Sequence, residues 1–413
     1  MATNTLIVGG GIVGLSAAYF LARRGAAVTL LDTGDLEGGA SSGNAGLVAA
    51  GHGPLPRPGL SLRSLRWVLD QSGPLYLPPR FDPGLVRWLF GFHRACGRSR
   101  YDRAIELLTA HGHPARVCFR TLVDEERIDC EYRPIGQLDV FRTDAGMREG
   151  EREAALLRRH GYDSEILNGA ELRRREPAFR PGVRGAVLYT DRAFANPAAF
   201  MRALAERVRR HGGLIRPHSP VARLDTQAGR CVGVTLETGE TLRADCTTLA
   251  AGVWTTALAR TAGVRIPMQA AKGYHAAVTA PATSVRTACV LAERFVAVNP
   301  IDGGLRLAGT LEFSGINHRF VPKRVTMLRH GAAEYLEGIE TTTEQSVWCG
   351  LRPCTADGLP VIGWAPRVRD LFVATGHAMM GFGLGPLAGR LTAESILDGT
   401  PSVALEGFGA DRF

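Results

Sequence analysis

No two of the eight cysteines (positions 96, 118, 130, 231, 246, 289, 349 and 354) form a CxxC pair. The scatter excludes a disulfide framework and a zinc site, and it fits a reducing compartment. No stretch reaches 18 uninterrupted apolar residues, so no membrane span is expected. Internal repeats and low-complexity tracts are absent as well. Lysine is scarce: arginine supplies nearly all of the 49 basic residues, which stand against 40 acidic ones for a net charge of +9. These arginines are dispersed over many segments, which reads as a solvated basic surface and not as a nucleic-acid patch. Met1 leads at once into TNTLIVGGGIVGLSAAYFLA, an apolar run broken by three glycines, without a basic leader or a cleavage site, so it is not read as a signal peptide.

What the chain does have is glycine, 50 residues of it in clusters. At 413 residues, 45% hydrophobic and 22% charged, it has the make-up of a globular protein with one large or two intertwined domains. The first glycine cluster follows a short apolar strand at 6–8. Gly9-Gly10-Gly11-Ile12-Val13-Gly14 precedes an expected helix that Gly25 stops, and a second strand at 26–32 ends on Asp32. This is G-x-G-x-x-G in the strand–turn–helix setting that a dinucleotide requires. Gly9 makes the turn, Gly11 admits a pyrophosphate, Gly14 lets helix and strand pack, and the helix amino terminus meets the phosphates. Asp32 is placed to accept hydrogen bonds from a ribose diol.

The next cluster, GGASSGNAG at 38–46, offers small side chains and free N–H groups from Ser41, Ser42, Gly43, Asn44 and Ala45. With the fingerprint, it resembles the D-amino-acid oxidase-like family of FAD oxidoreductases, and within that family the D-amino-acid dehydrogenases most. The resemblance implies FAD, with this loop running under the flavin; Cys349 and Cys354 are not in register with the cysteine that attaches FAD in sarcosine oxidases, so noncovalent binding is expected. The resemblance implies further that the backbone of Val221 meets the adenine and that Ala251, Gly252 and Trp254 close over the cofactor.

Toward the carboxy terminus, GHAMMGFGLGP opens a helix expected to run to Leu397 and to stop at Gly399. The resemblance sets Met380, Gly381, Phe382, Gly383 and Leu384 against the electron-accepting edge of the flavin, where a helix dipole favours negative charge. GLRPCTADGLPVIG at 350–363 reads as a rigid Gly/Pro turn that carries Arg352. In the family, such an arginine holds the substrate carboxylate through two parallel N–H donors. Tyr274 and His275, in KGYH, and Glu312, in GTLEF, are the further candidate pocket residues; no metal ligands are expected. Met379 stands where glycine oxidases carry a second arginine, and Arg306 where sarcosine oxidases carry an oxygen-activating lysine.

The expected fold is α/β: a discontinuous Rossmann-like FAD-binding domain (1–88, 190–264 and 345–413) with an inserted α+β antiparallel-sheet substrate domain (89–189 and 265–344). The expected function is oxidative deamination of D-amino acids, with electrons passed to a quinone or an electron-transfer protein. D-proline or D-hydroxyproline oxidation, an oxygen-using oxidase and an RNA-modifying FAD domain are the alternatives, in that order. The Trp/Pro-rich segment 64–96 reads as helix packing under the second domain, or as a peripheral membrane or subunit contact. The expected location is cytoplasmic, with peripheral attachment to the inner face of the cell membrane as the variant.

Overall fold

The computed structural model describes residues 3–413, apart from Ala50, His52, Leu65, Arg66, Leu69 and Ser72 and the side chains of Leu62 and Arg63. Among the described residues, a six-stranded sheet runs in the order Val361–Trp364, Leu371–Thr375, Cys246–Leu249, Asn4–Val8, Ala27–Leu31 and Leu214–Arg216. All its pairings are parallel except the first. Its inner strands are buried on both faces, which is why they read as unbroken apolar runs. Helices Ile12–Arg23, Pro197–Arg210 and Gly381–Leu397 cover one face, and a small three-stranded sheet over Val221–Arg243 covers the other.

The glycine turn opens the first helix as expected. Asn196 caps the helix Pro197–Arg210, its side chain accepting from the Ala199 N–H with Pro197 in the first turn. Helices Arg98–Glu125 and Asp144–Arg158 flank strand Gln137–Phe141 along the chain.

A nine-stranded, largely antiparallel sheet forms the second layer, in the order Glu344–Thr355, Met268–Thr279, Gly304–Glu312, Val296–Ile301, Ala288–Leu291, Gln137–Phe141, Gly185–Tyr189 and Glu165–Asn168, with Leu75–Tyr76 joining at Gly304–Glu312. The expected boundaries at 88 and 345 do not follow the sheets. Residue 88 falls inside helix Pro83–Ala95, and strand Glu344–Thr355 belongs to this second sheet. The sequence-based reading of 350–355 as a turn is likewise corrected: Gly350, Arg352 and Pro353 are in the strand. Glu344–Thr355 is the terminal strand of the sheet, where a proline removes no shared ladder bond on its outer side.

Part of segment 64–96 lies outside the described residues. Within the rest, Trp88 is buried and donates from its indole N–H to the Cys354 carbonyl at 2.8 Å, so this tryptophan packs under the second sheet. Among the described residues, no helix is long and apolar enough to cross a membrane.

Candidate active site

The two helices that open on glycine turns, Ile12–Arg23 and Gly381–Leu397, pack in parallel. A Cβ on Gly385 would stand 2.9 Å from Ile12, and one on Gly389 would stand 2.4 Å from Ser16. Their amino termini therefore point to one place. Neither has a side-chain cap on its N-cap residue, and neither has an acid in its first turn. Two positively polarised helix ends without an N-cap side chain, meeting in the interior, suit an anionic, electron-accepting group.

The amino-terminal turn is built as the fingerprint requires. Gly9 has φ +108°, and a Cβ there would strike the Ala250 carbonyl at 2.5 Å. A Cβ on Gly14 would lie 1.9 Å from the Gly9 carbonyl. The Asp32 carboxylate accepts from the Gly10 N–H at 2.6 Å and the Gly34 N–H at 2.8 Å, so it braces the turn and keeps lone pairs for a ribose. The Ser219 N–H donates to the Asp32 carbonyl at 2.7 Å, which brings the strand beginning at Val221 to the same edge. The Ser41 hydroxyl accepts from the Ile12 N–H at 3.0 Å and ties the loop to the helix end, while Ser42 donates to the carbonyls of Glu37 and Gly39 and closes the loop on itself.

Three consecutive carbonyls of that loop are held by side chains from three adjacent strands of the second sheet. His275 Nδ1–H donates to Gly43 at 2.9 Å, Arg306 Nη1 to Asn44 at 2.9 Å, and Asn299 Nδ2 to Ala45 at 2.8 Å. Trp348 stacks on His275 at 5.2 Å and lies against Gly43 and Gly350, where any Cβ would come within 2.1 Å of its ring. Burial pushes His275 down to about 4, with the Arg306 charge adding to this and the Gly43 carbonyl opposing it, so the ring is neutral near pH 7.

Arg352 lies on the same sheet face, half-buried. Its side chain crosses Gly273 of the neighbouring strand, and its Nη1 donates to the Thr310 carbonyl at 3.0 Å. Thr310 sits at a register shift with φ +64°, and this bulge turns the carbonyl toward the guanidinium. Burial lowers the Arg352 pKa, and among the described residues no carboxylate pairs with it. A structural ion pair, the bland alternative for this arginine, is not what holds it.

The other two pocket candidates go elsewhere. Side chains alternate across a strand, so Tyr274 faces away from His275 and Arg352 into the core behind the sheet. There its hydroxyl donates to Glu312 at 2.8 Å, and Lys272 pairs with the same carboxylate at 3.2 Å. Lys272 also holds Asn317 at 2.6 Å and the Arg319 carbonyl at 2.9 Å. Tyr274 and Glu312 thus belong to a buried network that supports the Thr310 bulge from behind, and the expectation that they line the pocket is corrected.

The backbones of Ala250 and Ala251 cradle Gly9, while the Gly252 carbonyl accepts from Thr375 at 3.1 Å. Trp254 is 45% exposed and stacks on His318 at 6.4 Å. Phe382 is a core residue, set edge-on to Phe119 at 5.3 Å, so only its backbone can serve a ligand. Met380 is the N-cap, Gly383 abuts Ala49, and Leu384 is buried one turn further on. The clamp residues Asn299 and Trp348, together with Gly273, escaped sequence reasoning. Their side chains act across strands, and only the register brings them to the loop.

Residues 4–395 match DAO, FAD dependent oxidoreductase. The chain belongs to this family of FAD-dependent oxidoreductases. A D-amino acid dehydrogenase of Methylobacterium nodulans is 33% identical, over 99% of each chain. Among solved structures, glycine oxidase from Geobacillus kaustophilus is similar at a TM-score of 0.79 and 24% identity, over 100% of each chain. L-Proline dehydrogenase from P. horikoshii is similar at 0.76 and 16%, over 100% of this chain and 98% of that one. FAD is the cofactor that the family implies, and the residues present fit it. The paired helix ends suit its pyrophosphate and flavin edge, and Asp32 suits its ribose.

Proposed function

We propose that the protein oxidises D-amino acids to imino acids, the substrate carboxylate docking on Arg352. The single observation that supports this reading is a half-buried guanidinium that, among the described residues, has no carboxylate partner and is held by the Thr310 carbonyl on the face that also holds the flavin loop. Bound FAD supplies the two-electron acceptor. The chain contributes orientation: Arg352 fixes the carboxylate, and the His275–Arg306–Asn299 clamp fixes the loop beside it. The neutral ring of His275 adds no charge there. No side-chain base is required, because the substrate amine need only shed its proton on binding. The imino acid is then released to hydrolyse, or persists as a cyclic imine where the substrate is a proline.

The D configuration follows the similarity to the D-amino acid dehydrogenase of M. nodulans. A quinone or another non-oxygen acceptor takes the electrons. Exposed Phe81, Val86 and Phe90 beside Arg87 and Arg94, with no acid from 83 to 101, support peripheral contact with an anionic membrane surface. Oxidation of D-proline or D-hydroxyproline is the second reading, favoured by Met379 at the apolar GHAMMG turn.

The deciding experiment is anaerobic bleaching of the flavin by a panel of D- and L-amino acids that includes both hydroxyproline epimers. Fast bleaching by D-acids, reversed by a quinone analogue and only slowly by air, is the expected result. A panel that leaves the flavin oxidised removes the support for Arg352 as the carboxylate site.

A further inference from the structure

Arg192, one residue before the Ala193 that pairs with Val48 just after the flavin loop, repeats the condition of Arg352. It is 2% exposed and lies over the Tyr189 ring at 3.8 Å, and its Nε and Nη1 are buried without a hydrogen-bond partner. Around it stand groups that are equally incomplete. Gln137 donates to Asp139 at 2.7 Å, and its own Oε1 is buried and unpaired. Glu153, on helix Asp144–Arg158, has Arg57 at a loose 3.9 Å. The side chains of Arg57 and Glu153 keep 32% and 27% of their surface accessible, so the cluster borders open space. Burial pushes the Asp139 and Glu153 carboxyls upward, against the pull of the Arg192 and Arg57 charges, as expected where those charges are only partly compensated.

The register connects this cluster to the active-site face. His275 is level with Ala308, Ala308 with Ala297, Ala297 with Val290, and Val290 with Asp139. Residues level across strands share a face, so the row is a floor of small side chains from His275 to Asp139, and Ala297 and Val290 remain partly exposed in mid-sheet. Four strand spacings make the distance roughly 19 Å, more than one amino acid can bridge.

We propose that Arg192, Asp139 and Glu153 form a second amino-acid site, Arg192 taking the carboxylate and the two acids the ammonium of a zwitterion. A simple anion would meet Asp139 and Glu153, and a simple cation would meet Arg192 and Arg57. A ligand that carries both charges brings a group of opposite sign to Arg192 and to the two acids. The site is independent of Arg352 and of the reaction proposed there.

The test is equilibrium dialysis of the FAD-loaded enzyme, reduced beforehand so that no turnover occurs, with radiolabelled D-alanine and glycine. Wild type is expected to bind two equivalents per chain. Arg192→Met and Arg352→Met should each retain one, and the double variant none. Asp139→Asn, a milder change that guards against misfolding of Arg192→Met, should weaken the second equivalent at least tenfold. One equivalent in wild type, unchanged in both Arg192→Met and Asp139→Asn, overturns the proposal. If no amino acid bleaches the flavin and yet an equivalent is lost with Arg192, the second site stands and the proposed reaction falls.

Discussion

Arg352 lies flat over Gly273, so closely that a Cβ on that glycine would be 1.6 Å from Nη1 and 2.1 Å from Cζ. The absence of one side chain on one strand thus fixes the direction of a cation on the next. Gly273→Ala is expected to lower kcat/KM for amino acids about as much as Arg352→Met, on the order of a hundredfold for the loss of a charge-assisted, bidentate contact, with FAD content unchanged. Steady-state kinetics beside flavin absorbance decide it. A Gly273→Ala enzyme with normal KM and kcat would show that Arg352 does not need this path.

Gly43 and Gly350 carry Trp348 in the same manner. Gly43→Ala forces the indole off the loop, and the purified protein is expected to retain less than half of the wild-type FAD. Combining it with Trp348→Ala removes the clash and should restore most of the cofactor. Flavin-to-protein absorbance ratios of the three proteins give the answer, and a double variant as depleted as Gly43→Ala would show that the loop fails for another reason.

The Lys272–Glu312–Tyr274 network predicts a stability effect and not a chemical one. Burial pushes Glu312 up, but bonds from Ser314 and Tyr274 and the Lys272 charge outweigh it and hold the carboxyl low. Lys272→Met strands that carboxylate in the core, and about 3–5 kcal/mol should be lost in urea unfolding. The rate of flavin reduction per folded molecule should change little, which separates a support from a catalyst.

Two buried histidines set a pH dependence. Burial pushes both His275 and His377 down to about 4, below the ordinary value of 6.5. The unfolded chain then binds the extra protons between pH 6.5 and about 4, so stability is full above 6.5 and falls as the pH drops through that window. The slope should approach about 1.4 kcal/mol per pH unit for each histidine, and His377→Asn should flatten it by about one histidine's worth. Urea midpoints from pH 7 to 4.5 measure this.

The parts of this molecule that local chemistry dictates were legible in its sequence. The glycine turn, Asp32 and the carboxy-terminal helix all follow from neighbours within a few residues. Arg352 was legible as a residue but not as a conformation, because Gly350 and Pro353 signal a turn wherever a strand is not an edge. Tyr274 and Glu312 were misplaced for a related reason. KGYH shows that a strand alternates, but which face meets the flavin loop depends on the bulge at Thr310 and on pairing with residues 30 to 80 positions away. The clamp by His275, Asn299 and Arg306 depends on the same long-range register.

The parallel helices Ile12–Arg23 and Gly381–Leu397, interlocked at Gly385 and Gly389, also constrain how the protein comes into being. The two halves of the cofactor cradle, Ile12–Arg23 and Gly381–Leu397, are far apart in sequence, so ribosomal synthesis presents the first well before the second. Any truncation before about residue 390 leaves the opening helix without its partner and the cradle open. Flavin capture therefore reports on both helices at once, because neither glycine turn makes the cradle alone.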